Sequence, residues 1–126
     1  MTPKTSLEKI MPAIVHLRGN TVILDADLAH IYGVSTKALN QAVKRNRTRF
    51  PSDFMFQLSP HELAKNRSQF VTGPGKHRDP RFRPFAFTEQ GAIMAANVLN
   101  SVTASRMSIF VVRAFVKMRA MLSRAC

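Results

Sequence analysis

Tryptophan is absent, tyrosine and cysteine occur once each, and seven carboxylates face nineteen lysines and arginines. Each shortage removes a class of function. The single cysteine, Cys126, cannot close an internal disulfide and cannot anchor a metal site by itself. His16, His30, His61 and His77 have no ligand spacing and no cysteine companions, so neither a metal nor a cofactor is expected. Asp25 and Asp27 come nearest to a paired-carboxylate site, yet their place at a helix start suits capping better. Gly73-Pro74-Gly75 lacks the Lys-Ser/Thr that completes a phosphate-cradling loop. Nothing assembles a catalytic constellation, and the chain is expected not to be an enzyme. No segment reaches the roughly 18 uncharged apolar residues of a membrane span. Residues 1–20 lack the uninterrupted apolar run of a signal peptide. The expected location is therefore a reducing cytoplasm.

What is present is positive charge. The 126 residues carry a net charge of +12, and 45% of them are hydrophobic. That composition fits one globular domain with a real core and a polyanionic partner, nucleic acid before an anionic membrane surface. The charge is clustered. Lys37, Lys44, Arg45, Arg47 and Arg49 form one group with no acid among them. Lys65, Arg67, Lys76, Arg78, Arg81 and Arg83 form a second, with Asp79 the only acid. Arg106, Arg113, Lys117, Arg119 and Arg124 form a third, again free of acids.

Local signals place these groups on an α+β framework. Residues 7–18 are weakly apolar and are expected to order only by packing. Thr21–Leu24 reads as a strand after a Gly19-Asn20 turn. Asp25 or Asp27 is expected to cap a short helix that ends at Gly33. Ser35 or Thr36 then caps a second helix that stops at Phe50-Pro51. Phe54–Leu58 reads as a strand. Ser59-Pro60-His61-Glu62 has the pattern of a capped helix start. Phe70-Val71 and Phe85–Phe87 are expected to pair as a hairpin around the basic loop TGPGKHRDPRFRP, residues 72–84. Thr88 caps an apolar helix, although Gly91 stands where a capping box would want Glu or Gln. Asn100-Ser101 breaks that helix, and a long apolar helix follows from about Thr103 to Leu122.

The stretch from Ser35 to Arg49 carries the sharpest signal. At about 100° per residue, Ala38, Leu39, Ala42 and Val43 fall on one side, and Lys37, Asn40, Gln41, Lys44, Arg45 and Arg47 on the other. Lysine and arginine suit phosphates, whereas Asn and Gln can pair with an adenine edge. Helix, Gly-containing turn and second helix form the helix-turn-helix arrangement. Thr36, Lys37, Asn40, Gln41 and Lys44 are therefore expected to face a major groove. Arg45, Arg47 and Arg49 are expected to hold flanking phosphates. Lys76, Arg78, Arg81 and Arg83 are expected to grip the backbone or a minor groove from a wing formed by the basic loop. The competing reading of each group is a solvated face.

Two other functions remain open on the sequence. Phe54, Phe56, Phe82, Phe85 and Phe87 could stack bases in an RNA- or single-strand-binding protein, with Phe82 between Arg81 and Arg83 the clearest candidate. The last helix could serve a protein-interaction module of antirepressor type. Its apolar surface, residues 103–122, is also the candidate contact of a homodimer.

The run IYGVSTKALNQAVKRNRTRFPSDFMFQLS resembles the KilA-N-like N-terminal DNA-binding domain of phage and bacterial proteins. More closely it resembles the branch named for the N-terminal domain of a phage "open reading frame six" product. NRSQFVT, FAFTEQGAIMAANVLNS and RAFVKMR extend the resemblance, in the same order, over roughly Leu17 to Arg119. It implies a small α+β DNA-binding domain of the kind found at the front of phage antirepressors and prophage regulators. The expectation is one such domain over residues 1–126, with its core at about 17–119 and no C-terminal effector domain.

Overall fold

The computed structural model describes residues 9–65 and 83–125. Strand β1, Ile14–Leu17, turns back into β2, Asn20–Leu24, through Arg18-Gly19. Both loop residues have positive φ, 53° and 77°, which is what a two-residue hairpin with right-handed strand twist demands. Gly19 takes that conformation without steric cost. The segment expected only to pack is thus a 3-10 turn, Met11–Ala13, followed by a true strand.

Two further strands complete one antiparallel sheet. They are β3, Met55–Gln57, and β4, Phe85–Phe87, and the order is β1-β2-β4-β3. The register aligns Ile14, Ile23, Phe87 and Met55 in a row across all four strands. This order corrects the expected hairpin between Phe85–Phe87 and Phe70-Val71. β4 has β2 on one edge and β3 on the other, so neither edge is left for another strand. Phe70-Val71 itself lies outside the described residues.

Five helices are described: α1, Asp25–Ile31; α2, Thr36–Arg45; α3, Pro60–Lys65; α4, Glu89–Leu99; and α5, Val102–Ala125. They divide between the sheet faces because side chains alternate along a strand. Val15, Leu17, Val22, Leu24, Ala86 and Phe56 of β3 point to one face, where Leu58 and, from α3, Leu63 pack against them. The opposite face carries the Ile14–Ile23–Phe87–Met55 row. It packs with Leu28, Leu39, Ala92, Ala95, Val111 and Phe115 from α1, α2, α4 and α5. The expected α+β class is the observed one. None of the described helices is long and apolar enough to cross a membrane.

Capping follows the sequence closely. Ser59 Oγ accepts from Glu62 N–H at 3.1 Å, and Glu62 Oε1 accepts from Ser59 N–H at 2.8 Å, a reciprocal capping box. Thr88 caps α4 by accepting from Gly91 N–H at 3.4 Å. The glycine at 91 has a tertiary cause. A Cβ there would lie 1.9 Å from the Phe54 carbonyl oxygen, so the α4 backbone rests directly on the segment leading into β3. Thr88 reinforces the same junction, with its N–H donating to Phe54 O at 3.0 Å and its hydroxyl to Asp53 O at 2.9 Å. Asn100 ends α4 in the left-handed region, and Ser101 Oγ accepts from Ala104 N–H to start α5.

Candidate nucleic-acid interface

Helices α1 and α2 meet through a tight turn. Gly33 N–H donates to His30 O at 3.2 Å, and Val34 N–H donates to Ala29 O at 3.0 Å. These two bonds are a Schellman motif, with Gly33 at φ 74° in the position only glycine fills freely. Ser35, not Thr36, is the cap of α2, accepting from Ala38 N–H at 3.0 Å. Tyr32 fixes the turn from below. It is buried, its hydroxyl donates to Ala92 O of α4 at 2.8 Å, and burial pushes its ionisation well above the usual tyrosine range.

On α2, Leu39 and Val43 are buried and seat the helix against α1 and α4. Lys37, Gln41, Lys44 and Arg45 are exposed, at the i, i+4, i+7, i+8 spacing of one stripe. Thr36 is half-buried at the first turn. The helix is shorter than the sequence suggested and ends at Arg45. Asn46 closes it by donating from Nδ2 to Ala42 O at 2.8 Å, and a 3-10 turn, Arg47–Arg49, follows. Arg47 and Arg49 therefore continue the cationic surface from a different element. Arg49 is tied down, with Nη1 donating to Asn97 Oδ1 of α4 at 3.2 Å. Among the described residues no carboxylate pairs with Lys37, Lys44, Arg45 or Arg47.

Asn40 stands apart from its neighbour Gln41. It is half-buried, and its Nδ2 donates to Asp25 Oδ2 at 3.2 Å. Asp25 or Asp27 was expected as the helix cap, but both lie in the first turn and the cap position belongs to Leu24, which provides no side-chain bond. Asp25 sits in the first turn of α1 and is only 1% exposed. Its Oδ1 accepts from Ala26 N–H at 2.7 Å, and its Oδ2 also accepts from Phe85 N–H at 3.3 Å. A polar group this deeply buried is costly unless it is hydrogen-bonded. Here one carboxylate gathers the start of α1, the middle of α2 and the first residue of β4. Sequence spacing could not reveal this, because the partners are 15 and 60 residues away.

Of the expected wing residues, Lys76, Arg78 and Arg81 lie outside the described residues, as does Phe82. Arg83 is described. It is exposed, and Nη1 reaches Leu58 O at 3.4 Å, while its own carbonyl accepts from Gln57 Nε2 at 3.2 Å. Because Phe85 N–H is held by Asp25, the chain leaves the basic segment within two residues of the α1–α2 unit. Of the other aromatic candidates for stacking, Phe56, Phe85 and Phe87 pack against the two cores, and Phe54 is half-buried. Phe87 is buried with its ring 6.2 Å from Phe50, edge to face. Phe56 lies under the Arg18 guanidinium at 4.2 Å. Arg18 also forms an ion pair with Glu62, at 2.6 and 2.7 Å, and this guanidinium holds the Glu62 carboxyl down at about 2. Among the described residues no group of His, Cys, Asp and Glu could hold a metal ion.

Residues 12–98 match the family model of the ORF6N domain. The match begins just before β1 and ends within the last turn of α4, so α5 lies beyond it. No curated protein and no solved structure matches the chain.

Proposed function

Starting from the chain's membership of the ORF6N domain family, a phage-related family, we propose that it binds double-stranded DNA as a prophage-related transcriptional regulator. The observation that carries this reading is the α2 stripe. Lys37, Gln41, Lys44 and Arg45 project from a helix whose two ends are capped and whose inner face is buried. A helix presented in this way can lie in a major groove, with cations on phosphates and an amide on base edges. Gln41 is exposed and is the residue assigned to base reading. Asn40 spends an N–H on Asp25 and supports the same face from behind. Arg45 and Arg47 hold phosphates, and the basic segment that ends at Arg83 adds backbone contacts.

Fluorescence anisotropy with duplex DNA, titrated over roughly 50 to 200 mM salt, tests the reading. Neutralising about six phosphates gives a log–log salt slope of about −5. Affinity indifferent to salt, or single strands that outcompete duplex, overturns it. Gln41→Ala is expected to cost about 1–3 kcal/mol on the preferred site and little elsewhere.

A further inference from the structure

Helix α5 buries Ala104, Val111, Ala114 and Phe115 against the core. On its opposite side Val102, Ile109 and Val116 are 74%, 52% and 47% exposed. They recur every seven residues, so they form a nearly straight seam of about 21 Å at 1.5 Å per residue. Small residues border the seam near its start, where Asn100, Ser101, Val102, Ser105, Arg106 and Ile109 line a shallow depression. At about 100° per residue, Arg106, Arg113 and Lys117 all lie along one flank of the seam. On the other flank Arg119 is already neutralised by an ion pair with Glu89. The helix itself contains no Asp or Glu.

We propose that this seam docks an acidic amphipathic helix of a partner protein, its apolar edge on Val102, Ile109 and Val116 and its carboxylates on Arg106, Arg113 and Lys117. Charge complementarity selects that occupant. A second copy of α5 would bring only cations to the same flank, so like charges would oppose one another. An anionic membrane asks for a broad apolar face that can sink below the headgroups. Here Val102, Ile109 and Val116 form a file one residue wide, and the other exposed apolar side chains of the helix, Met121 and Leu122, fall off that file near its end. Seven-residue spacing is the pattern by which one helix receives another. The inference does not depend on the DNA reading, since it uses a different helix and one beyond the family match.

The test uses the full chain and a synthetic peptide about three heptads long, with leucine at the seam positions and glutamate on the flanks. A control peptide carries lysine in place of glutamate. The acidic peptide is expected to bind and gain helicity, and the lysine peptide is expected not to bind. Ile109→Asp should weaken binding by about tenfold or more. Val102→Ser, at the most exposed position, should weaken it less and guards against a folding defect at 109. Arg113→Ser should weaken binding mainly at low salt. Duplex affinity should be unchanged in Ile109→Asp, which separates failure here from failure of the DNA reading. The proposal is overturned if neither peptide binds or if both bind equally. It is also overturned if the chain sediments as a dimer that Ile109→Asp dissociates, if phosphatidylserine vesicles bind the seam more tightly than the acidic peptide does, or if duplex DNA displaces that peptide.

Discussion

Helices α2 and α5 are both cationic and both bear on α4, yet they present their charge differently. Between the cations of α2 stands the amide of Gln41. Between those of α5 stand valine and isoleucine. Charge alone draws either surface toward a polyanion, but the intervening groups decide what can remain. An amide between cations rewards a ligand with its own donors and acceptors. An apolar seam between cations rewards one that can leave water. The net charge of +12 thus includes two surfaces that should not share a partner.

The severest way to break this contrast is to remove the shared support. Gly91→Ala forces a methyl group against the Phe54 carbonyl and should cost about 3 kcal/mol. Denaturant unfolding would show the loss, and both surfaces should weaken together. Asp25→Ala is narrower. It strips acceptors from Asn40 and Phe85 and should cost about 2 kcal/mol. Duplex binding should fall beyond what that stability loss explains, while binding at α5 stays intact. Asp25→Asn keeps an acceptor oxygen and should recover part of the loss. Equal damage to both surfaces by Asp25→Ala would show that the carboxylate serves the core generally.

Lys44→Gln should leave unfolding unchanged and reduce the steepness of the salt dependence by about 0.9 for the lost phosphate contact. Acidification should give the smallest effect. The Glu62 carboxyl titrates at about 2 in the fold, against 4.5 ordinarily, because of Arg18. A depressed carboxylate stabilises the fold above pH 4.5, and that contribution fades as pH falls from 4.5 toward 2. Arg18 is 45% exposed, so water screens the pair and about 0.5 kcal/mol or less is at stake. Thermal melts of the native chain and of Glu62→Gln should converge below pH 2. Neither cationic surface should respond to Glu62→Gln.

The helical frame was legible because its signals are local. Gly33, Ser35, Ser59 with Glu62, Thr88 and Asn100 each act within a few residues, and each does in the structure what its type suggests. The sheet was less legible. β4 is only three residues long, so nothing in Phe85–Phe87 announces that both its edges are filled. β1 is only four residues long, and its one local mark is the turn signal at Gly19-Asn20, one residue beyond the actual Arg18-Gly19 loop. At the candidate interface, the wheel put Asn40 beside Gln41 on one polar side. Packing of α2 in the corner between α1 and α4 turned Asn40 inward and left Gln41 outside. Gly91 was visible as a departure from the capping box, but the carbonyl that requires it is contributed by another element.

The bare contact at Gly91 also constrains how this molecule can move. Packed elements slide past one another when side chains between them shift by small amounts. At this junction two backbones touch, and no side chain lies between them to yield. The start of α4 and the segment entering β3 must therefore travel as one rigid piece. Any rearrangement that changes how α2 or α5 is presented has to hinge elsewhere, and the left-handed bend at Asn100 offers such a pivot between α4 and α5.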